Sequence, residues 1–302
     1  FPIMKKILYI LGLCIVGGLF IISCKPEEGG IPSFIEVTAF KVEDNPGNSV
    51  SRYEGCFTSD INTVEITVQG NGVNELIGVF ELPCRVPVLL TGQYDVVLKP
   101  AIKLNGISGT RSSYPFYTDA VVKNVNFVPD SIVTLDTQVV HYANYTRFVW
   151  EEYCEHWVVN PFLPVGDTTV HIVRGNDTVC SDDGCAAIYM SPSQDSLVFT
   201  RKDSCIVNVN DALILEMDYW TNVPLEVGMH AKNSSGSTES TYYAITLHPN
   251  EGWQKIYIQL GRLWGNTFNY YNTFKLVFRV TNPDNIEAKT YMDNFKLTAY
   301  RE

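Results

Sequence analysis

Basic residues are scarce in this chain. Its 22 Lys and Arg stand against 33 Asp and Glu, a formal net charge of −11, and a surface of that sign repels nucleic acid and anionic surfaces. Nucleic acid is therefore not expected as a partner. Catalytic signatures are missing as well, since no glycine–serine–glycine nucleophile elbow occurs. The five histidines, His141, His156, His171, His230 and His248, stand singly and never at a paired metal-binding spacing. No two cysteines are separated by two residues, so a thiolate zinc site has no starting point. Between residues 33 and 141 no amphipathic helix can be drawn. These absences argue against an enzyme and leave a non-catalytic chain as the expectation.

One long apolar run is present. Met4-Lys5-Lys6 opens a basic stretch, residues 7–22 are almost unbroken apolar, and Ser23-Cys24 closes it, which is the layout of a secretory signal peptide. A membrane span wants about 20 apolar residues, and this run ends in a small residue and a cysteine rather than a basic cluster. Residues 1–23 are thus expected to be cleaved. Ile21-Ile22-Ser23-Cys24 resembles the bacterial lipobox, which implies lipid on Cys24 and a membrane anchor. Residues 24–32 form a tether, and Lys25-Pro26-Glu27-Glu28-Gly29-Gly30 resembles the surface-export signal of Bacteroidota lipoproteins. That likeness implies an outer-membrane protein facing the cell exterior.

The 302 residues leave room for two modules of about 100 to 200 residues each. With 45% hydrophobic and 12% aromatic residues, and many Val, Thr and Asn, the composition favours strands. Cys56, Cys84, Cys154, Cys180, Cys185 and Cys205 remain for an oxidising compartment, an even number compatible with disulfides. Cys56 with Cys84 in the first module and the other four in the second is the expected split.

The fold class expected is all-β. Residues 33–141 read as short strands between turns, among them the alternating Val64-Glu65-Ile66-Thr67-Val68 and the run Tyr94-Asp95-Val96-Val97-Leu98. An Ig-like or transthyretin-like β-sandwich serving as spacer or docking domain is expected there. The segment Gly92-Gln93-Tyr94-Asp95-Val96-Val97-Leu98-Lys99-Pro100 resembles small sandwich repeats of exported proteins. Leu104-Asn105-Gly106-Ile107 through Tyr114-Pro115-Phe116-Tyr117 forms an aromatic connection, expected to fold over the sandwich edge. A linker is placed at residues 142–146. Residues 146–302 hold all five tryptophans and a run of strands that counts as a jelly roll.

In that second half, Asn250-Glu251-Gly252-Trp253-Gln254-Lys255-Ile256-Tyr257, Phe274-Lys275-Leu276-Val277-Phe278 and Tyr291-Met292-Asp293-Asn294-Phe295 resemble the final strands of galactose-binding-like jelly rolls, including carbohydrate-binding modules. Phe148-Val149-Trp150-Glu151-Glu152-Tyr153 is similar to their opening segment. The resemblance covers about half the chain. It implies a structural calcium ion held by Glu151 or Glu152 with Asp293. For glycan binding, the loop of residues 261–272 has the needed mixture of aromatic and polar groups, so Arg262, Trp264, Asn266, Tyr270 and Tyr271 are the candidate ligand residues. Tyr219, Trp220 and Trp253 are assigned to the core. The rival expectation is an accessory subunit of an outer-membrane assembly for transport, secretion or uptake, docked on a barrel or another lipoprotein, because Trp and Tyr also favour protein interfaces.

Overall fold

The computed structural model describes residues 30–45, 57–155, 159–166, 172–175, 184–207, 212–232, 239–263 and 273–300. Cys24, Cys56, Cys180, Trp264, Asn266, Tyr270 and Tyr271 lie outside the described residues.

Almost every described element is a strand. The first half contributes β1 (Ser33–Val37), β2 (Phe40–Val42), β3 (Thr63–Gly70), β4 (Val73–Glu81), β5 (Cys84–Val88) and β6 (Gly92–Lys103). It continues with β7 (Arg111–Ser113), β8 (Ala120–Phe127), β9 (Ile132–Leu135) and β10 (Gln138–Val140). The second half begins with β11 (Thr146–Glu152), β12 (Phe162–Val165), β13 (Ile172–Gly175), β14 (Cys185–Met190), β15 (Ser196–Arg201) and β16 (Cys205–Ile206). It ends with β17 (Ile214–Thr221), β18 (Leu225–Lys232), β19 (Glu239–Leu247), β20 (Gln254–Gln259), β21 (Thr273–Thr281) and β22 (Ala288–Tyr300).

In the first half, β4-β3-β6 with β7 and β8 form one antiparallel sheet. Opposite it lie β5-β1-β9 and the small pair β10-β2, in which β1 with β9 and β2 with β10 run parallel. Alternation does the sorting. Val64, Ile66 and Val68 of β3 face Ile35, Val37, Val96 and Leu98 in one core, while Glu65 of the same strand turns out to pair with Lys99 at 3.0 Å.

The second half is a jelly-roll sandwich of two antiparallel sheets. One has the order β13-β14-β22-β17-β20, with β11 also on β22; we call it the terminal-strand sheet. The other has the order β12-β15-β21-β18-β19, with β16 on β21; we call it the open sheet. Between them Phe162, Phe199, Phe278 and Phe295 pack edge to face, tilted or stacked, with centroids 5.0–6.0 Å apart, within the range of favourable ring contacts.

The two halves are sewn together rather than strung on a linker. In the segment 142–146, where the linker is placed, Tyr142, Ala143 and Thr146 are buried. Ala143 N–H donates to the Phe116 carbonyl and Thr146 N–H to that of Ala143, both at 2.8 Å. Ile214 and Tyr257 of the terminal-strand sheet belong to the first half's core. Asn105 N–H donates to the Tyr257 carbonyl at 2.8 Å, and Gln259 N–H returns to Asn105 Oδ1 at 2.9 Å. The aromatic connection therefore folds inward, onto the second module: Tyr114 and Tyr117 are buried at the joint.

Charge is buried at this joint too. Glu216, fully buried on β17, accepts hydrogen bonds from Tyr114 Oη and, at 2.8 Å, from Tyr142 Oη. Lys255 Nζ stands 3.8 Å from Glu216 and 3.8 Å from Asp218, and donates to Thr58 Oγ1 at 3.1 Å. Asp218 accepts from Thr58 Oγ1 and from Asn294 Nδ2. Lys296 Nζ makes no hydrogen bond among the described residues; it lies 5.0 Å from the Tyr153 ring and 5.8 Å from that of Phe57. Burial, and the neighbouring Lys255 charge, push its pKa down to about 8.

Candidate functional site

The open sheet turns one face to the core and the other outward. On β21, Phe274, Leu276, Phe278 and Val280 enter the core, which turns Lys275, Val277 and Arg279 to the other face, where Val277 is nonetheless covered, at 1% exposure. On β18, Val227, Met229 and Ala231 go in and Glu226, Gly228 and His230 go out. Antiparallel register then sets three rows across the outer face. Val165, Val198, Arg279, Glu226 and Thr246 make the first. Leu163, Thr200, Val277, Gly228 and Tyr243 make the second, and Lys275, His230 and Thr241 the third.

In the middle row the edge strand comes down onto Gly228. A Cβ there would sit 2.0 Å from the Tyr242 carbonyl oxygen, at the bulge where β18 and β19 slip register. Only glycine permits this approach of edge strand to sheet. Along the flanks, Arg279 Nε donates to Glu226, its guanidinium 4.6 Å over the Tyr243 ring. His230 Nδ1 lies 2.8 Å from Thr241 Oγ1, and its Nε2 3.4 Å from Glu239. On the His230 side lies a groove of about 430 Å³ lined by Val165, Val198, Thr200, His230, Thr241 and Lys275, among others. A mostly apolar floor with a few placed polar and charged groups is the make-up of a small-ligand site.

Arg262, the described member of the candidate ligand set, is elsewhere. It borders a cleft of about 520 Å³ between the halves, with Gln259, Tyr300, Ser112, Ser113 and Pro115. Nothing in the sequence reading singled out Glu226, Gly228, Tyr243 or Arg279, although Leu225-Glu226-Val227-Gly228-Met229 alternates strictly and so marks which residues face outward.

The expected calcium ligands are on adjacent strands, Glu151 opposite Lys296 and Glu152 opposite Phe295, with Asp293 in β22. Their oxygens are directed to local partners. Glu152 Oε1 accepts from Cys154 N–H at 2.9 Å, Glu151 Oε1 from Tyr153 Oη at 3.3 Å, and Asp293 Oδ1 from Asn294 N–H at 2.7 Å. Calcium takes about six to eight oxygens, and among the described residues no group of three or more His, Cys, Asp or Glu is placed to hold a metal ion. The trio does not fit a calcium cage. Burial raises the Asp293 pKa to about 8, against the pull of the Asn294 N–H and helped by Asp218 and Glu155.

Two other expectations need correction. Cys84, assigned to Cys56, is a free thiol, as are Cys154 and Cys205. Cys84 sits in the β1–β5 ladder opposite Val37, and burial pushes the Cys205 thiol up to about 11. Tyr219 does enter the core, but strand alternation turns Trp220 the other way, against the Tyr291 ring, which Trp253 also approaches.

No family model and no curated protein matches the chain. Among solved structures, it is similar to the CBM22-1 xylan-binding domain from Paenibacillus barcinonensis Xyn10C: 10% identity, TM-score 0.39, with 53% of this chain and 99% of that chain covered. A family 11 carbohydrate-binding module from Clostridium thermocellum, in complex with a β-1,3-1,4-mixed-linked tetrasaccharide, gives 14% identity and TM-score 0.36 over 50% of this chain and 97% of that one. At such scores the groove stands on its own geometry.

Proposed function

We propose that this is a non-catalytic, lipid-anchored envelope protein whose second sandwich binds a glycan in the groove of the open sheet. The observation that carries the reading is the groove on the outer face, where the exposed Val165 and the half-buried Val198 lie beside His230, Glu239, Thr241 and Lys275. A sugar offers an apolar face of C–H groups and a rim of hydroxyls. Val165 and Val198 meet the first, and Lys275, His230 and Thr241 supply donors and acceptors for the second. Arg279 commits its Nε to Glu226, which fixes the guanidinium plane and leaves other N–H groups for ligand. Attachment through Cys24 rests on the Ile21-Ile22-Ser23-Cys24 sequence.

Affinity electrophoresis through gels containing soluble polysaccharides, preceded by a glycan array, tests the groove. Wild-type protein is expected to be retarded by at least one glycan, and His230→Ala or Lys275→Ala to weaken that retention about tenfold. A protein that retains no glycan but co-purifies stoichiometrically with a barrel from detergent-solubilised membranes would overturn the reading in favour of an accessory subunit. Mass spectrometry of the mature N-terminus tests the anchor, and an unacylated Cys24 refutes it.

A further inference from the structure

At the end of the first module where the chain enters it, away from the joint, apolar side chains form an exposed cap. Of the large apolar side chains among the described residues, the two most exposed are Leu89, at 70%, and Ile31, at 66%. Ladder register brings them together. Ser33 pairs with Val88 across β1 and β5, and Phe34 with Ile132 across β1 and β9. The Asp130 N–H donates to the Pro32 carbonyl at 3.0 Å, and the Ser131 N–H to that of Val128 at 3.1 Å, so the β8–β9 turn curls beside residues 31–32. Gly92 pairs with Phe127, which sets the loop that follows Val88 next to the same turn. Val128 and Ile132, 48% and 50% exposed, complete the cap.

A single exposed apolar residue is ordinary; four gathered at one end of a sandwich make a patch that something covers. The direction from which the chain arrives says what. Six residues, 25–30, separate Ile31 from Cys24, and at no more than about 3.6 Å per residue the seven steps reach roughly 25 Å. With lipid on Cys24, the reading on which this rests, Ile31 stays within that reach of the bilayer. The charge of the cap agrees. In residues 30–32, 89–92 and 128–132 the one charged residue is Asp130, so nothing basic draws the cap to an anionic surface. Its apolar side chains suit the boundary between headgroups and acyl chains of a zwitterionic bilayer. The joint is at the other end of the sheet. β6, 12 residues long, runs from the cap at Gly92 to Lys103, two residues before Asn105 bonds to Tyr257, and at about 3.3 Å per residue it spans roughly 35–40 Å.

We propose that Ile31, Leu89, Val128 and Ile132 form a membrane-contacting cap that seats the first module on the lipid surface beside its anchor. The cap fixes orientation as well as position. With it against the bilayer, the length of β6 separates membrane from joint, and the second sandwich with its groove is presented away from the lipid. One covalent and one apolar contact together hold the module as two-signal attachments do, more firmly than either alone.

Fluorescence quenching by brominated lipid, with the lipidated mature chain in phosphatidylcholine vesicles, tests this. All five native tryptophans are in residues 146–302, so Leu89→Trp reports on the cap, and Ile107→Trp, at a 55% exposed position beyond the joint end of β6, is the control. Leu89→Trp is expected to lose at least about half of its added emission and Ile107→Trp less than about a tenth, since an interfacial contact reaches roughly 5–10 Å into the bilayer. With Ile31→Trp as reporter, Leu89→Ser/Val128→Ser should cut quenching at least about threefold. Hydrogen exchange gives a readout without a variant: vesicles should slow exchange in residues 89–92 and 128–132 and leave residues 105–107 unchanged, relative to the unlipidated chain in solution. The proposal is overturned if Leu89→Trp is quenched no more than Ile107→Trp. It is overturned in favour of a protein partner if native outer membranes protect the two loops and protein-free vesicles do not. Mass spectrometry of the same preparation separates this failure from that of the anchor: an unacylated Cys24 removes both, whereas an acylated chain whose cap stays unquenched loses the cap alone.

Discussion

The two outer faces of the second sandwich use similar residues to opposite ends. On the open sheet, Glu226 and Arg279 pair across β18 and β21 with 17% and 39% of their side chains exposed. On the terminal-strand sheet, Glu216 and Lys255 pair across β17 and β20 with 0% and 3% exposed, because the first module lies over them. Burial changes what such a pair does. At the solvent edge it orients groups at little energetic consequence; beneath another module every unmet charge is costly, and the joint answers with hydroxyls from Tyr114, Tyr142, Thr58 and Thr298.

Breaking the buried side should have the largest effect. Glu216→Ala removes the acceptor of two tyrosine hydroxyls and one of the two counter-charges of Lys255, and is expected to cost about 3–5 kcal/mol in urea unfolding. A loss below about 1 kcal/mol would show that the joint does not depend on this carboxylate. Next in size is Gly228→Ala. The added Cβ meets backbone 2.0 Å away, so β19 must shift; about 1–3 kcal/mol of stability and glycan retention should be lost together. Retention unchanged in a folded Gly228→Ala protein would remove β19 from the site.

The joint also sets the pH response. Asp293 titrates at about 8 in the fold against 3.8 ordinarily, so between those values the folded chain keeps a proton that the unfolded chain has released. Its contribution is full below about pH 4 and is lost as pH rises through 8. Lys296 titrates at about 8 against 10.5, so there the unfolded chain holds the extra proton and stability recovers as pH climbs from 8 towards 10.5. A minimum near pH 8 is expected in urea midpoints. Asp293→Asn should flatten the acid side and Lys296→Met the alkaline side; a wild-type profile that rises steadily from pH 5 to 8 would contradict this.

Strands were the legible part of the chain. Val64-Glu65-Ile66-Thr67-Val68 alternates and lies within β3, and the jelly-roll strands stand where apolar runs end in turn residues. What alternation does not carry is whether the outward side meets water. Leu213-Ile214-Leu215-Glu216-Met217-Asp218 reads as a strand with an acidic solvent face, yet Glu216 and Asp218 are buried, since the groups that cover Glu216 come from 102 and 74 residues away in sequence. The same gap hid the groove. Glu226, Arg279 and Lys275 look like ordinary solvent-facing strand positions until register aligns them, whereas a loop crowded with Trp, Tyr and Asn attracts notice by composition alone. Trp220 shows the converse: a tryptophan within an apolar strand suggests core, and only its parity against Tyr219 says otherwise.

The smallest stability effect belongs to the open face, and it separates orientation from stability. Arg279→Ala removes the partner of Glu226 and the cation over Tyr243, but the pair is solvent-exposed and an isolated surface pair contributes about 0.2–1 kcal/mol. Unfolding should therefore move by no more than about 1 kcal/mol, while glycan retention falls about tenfold, because Arg279 stands beside the groove residue Val198 in the first row and would meet a ligand that extends past it. Arg279→Lys keeps the charge without the planar fork and should restore stability but not retention. If lysine restores both, charge alone matters at this position, and the groove reads its ligand less by the geometry of the guanidinium than by the sign of the field along its wall.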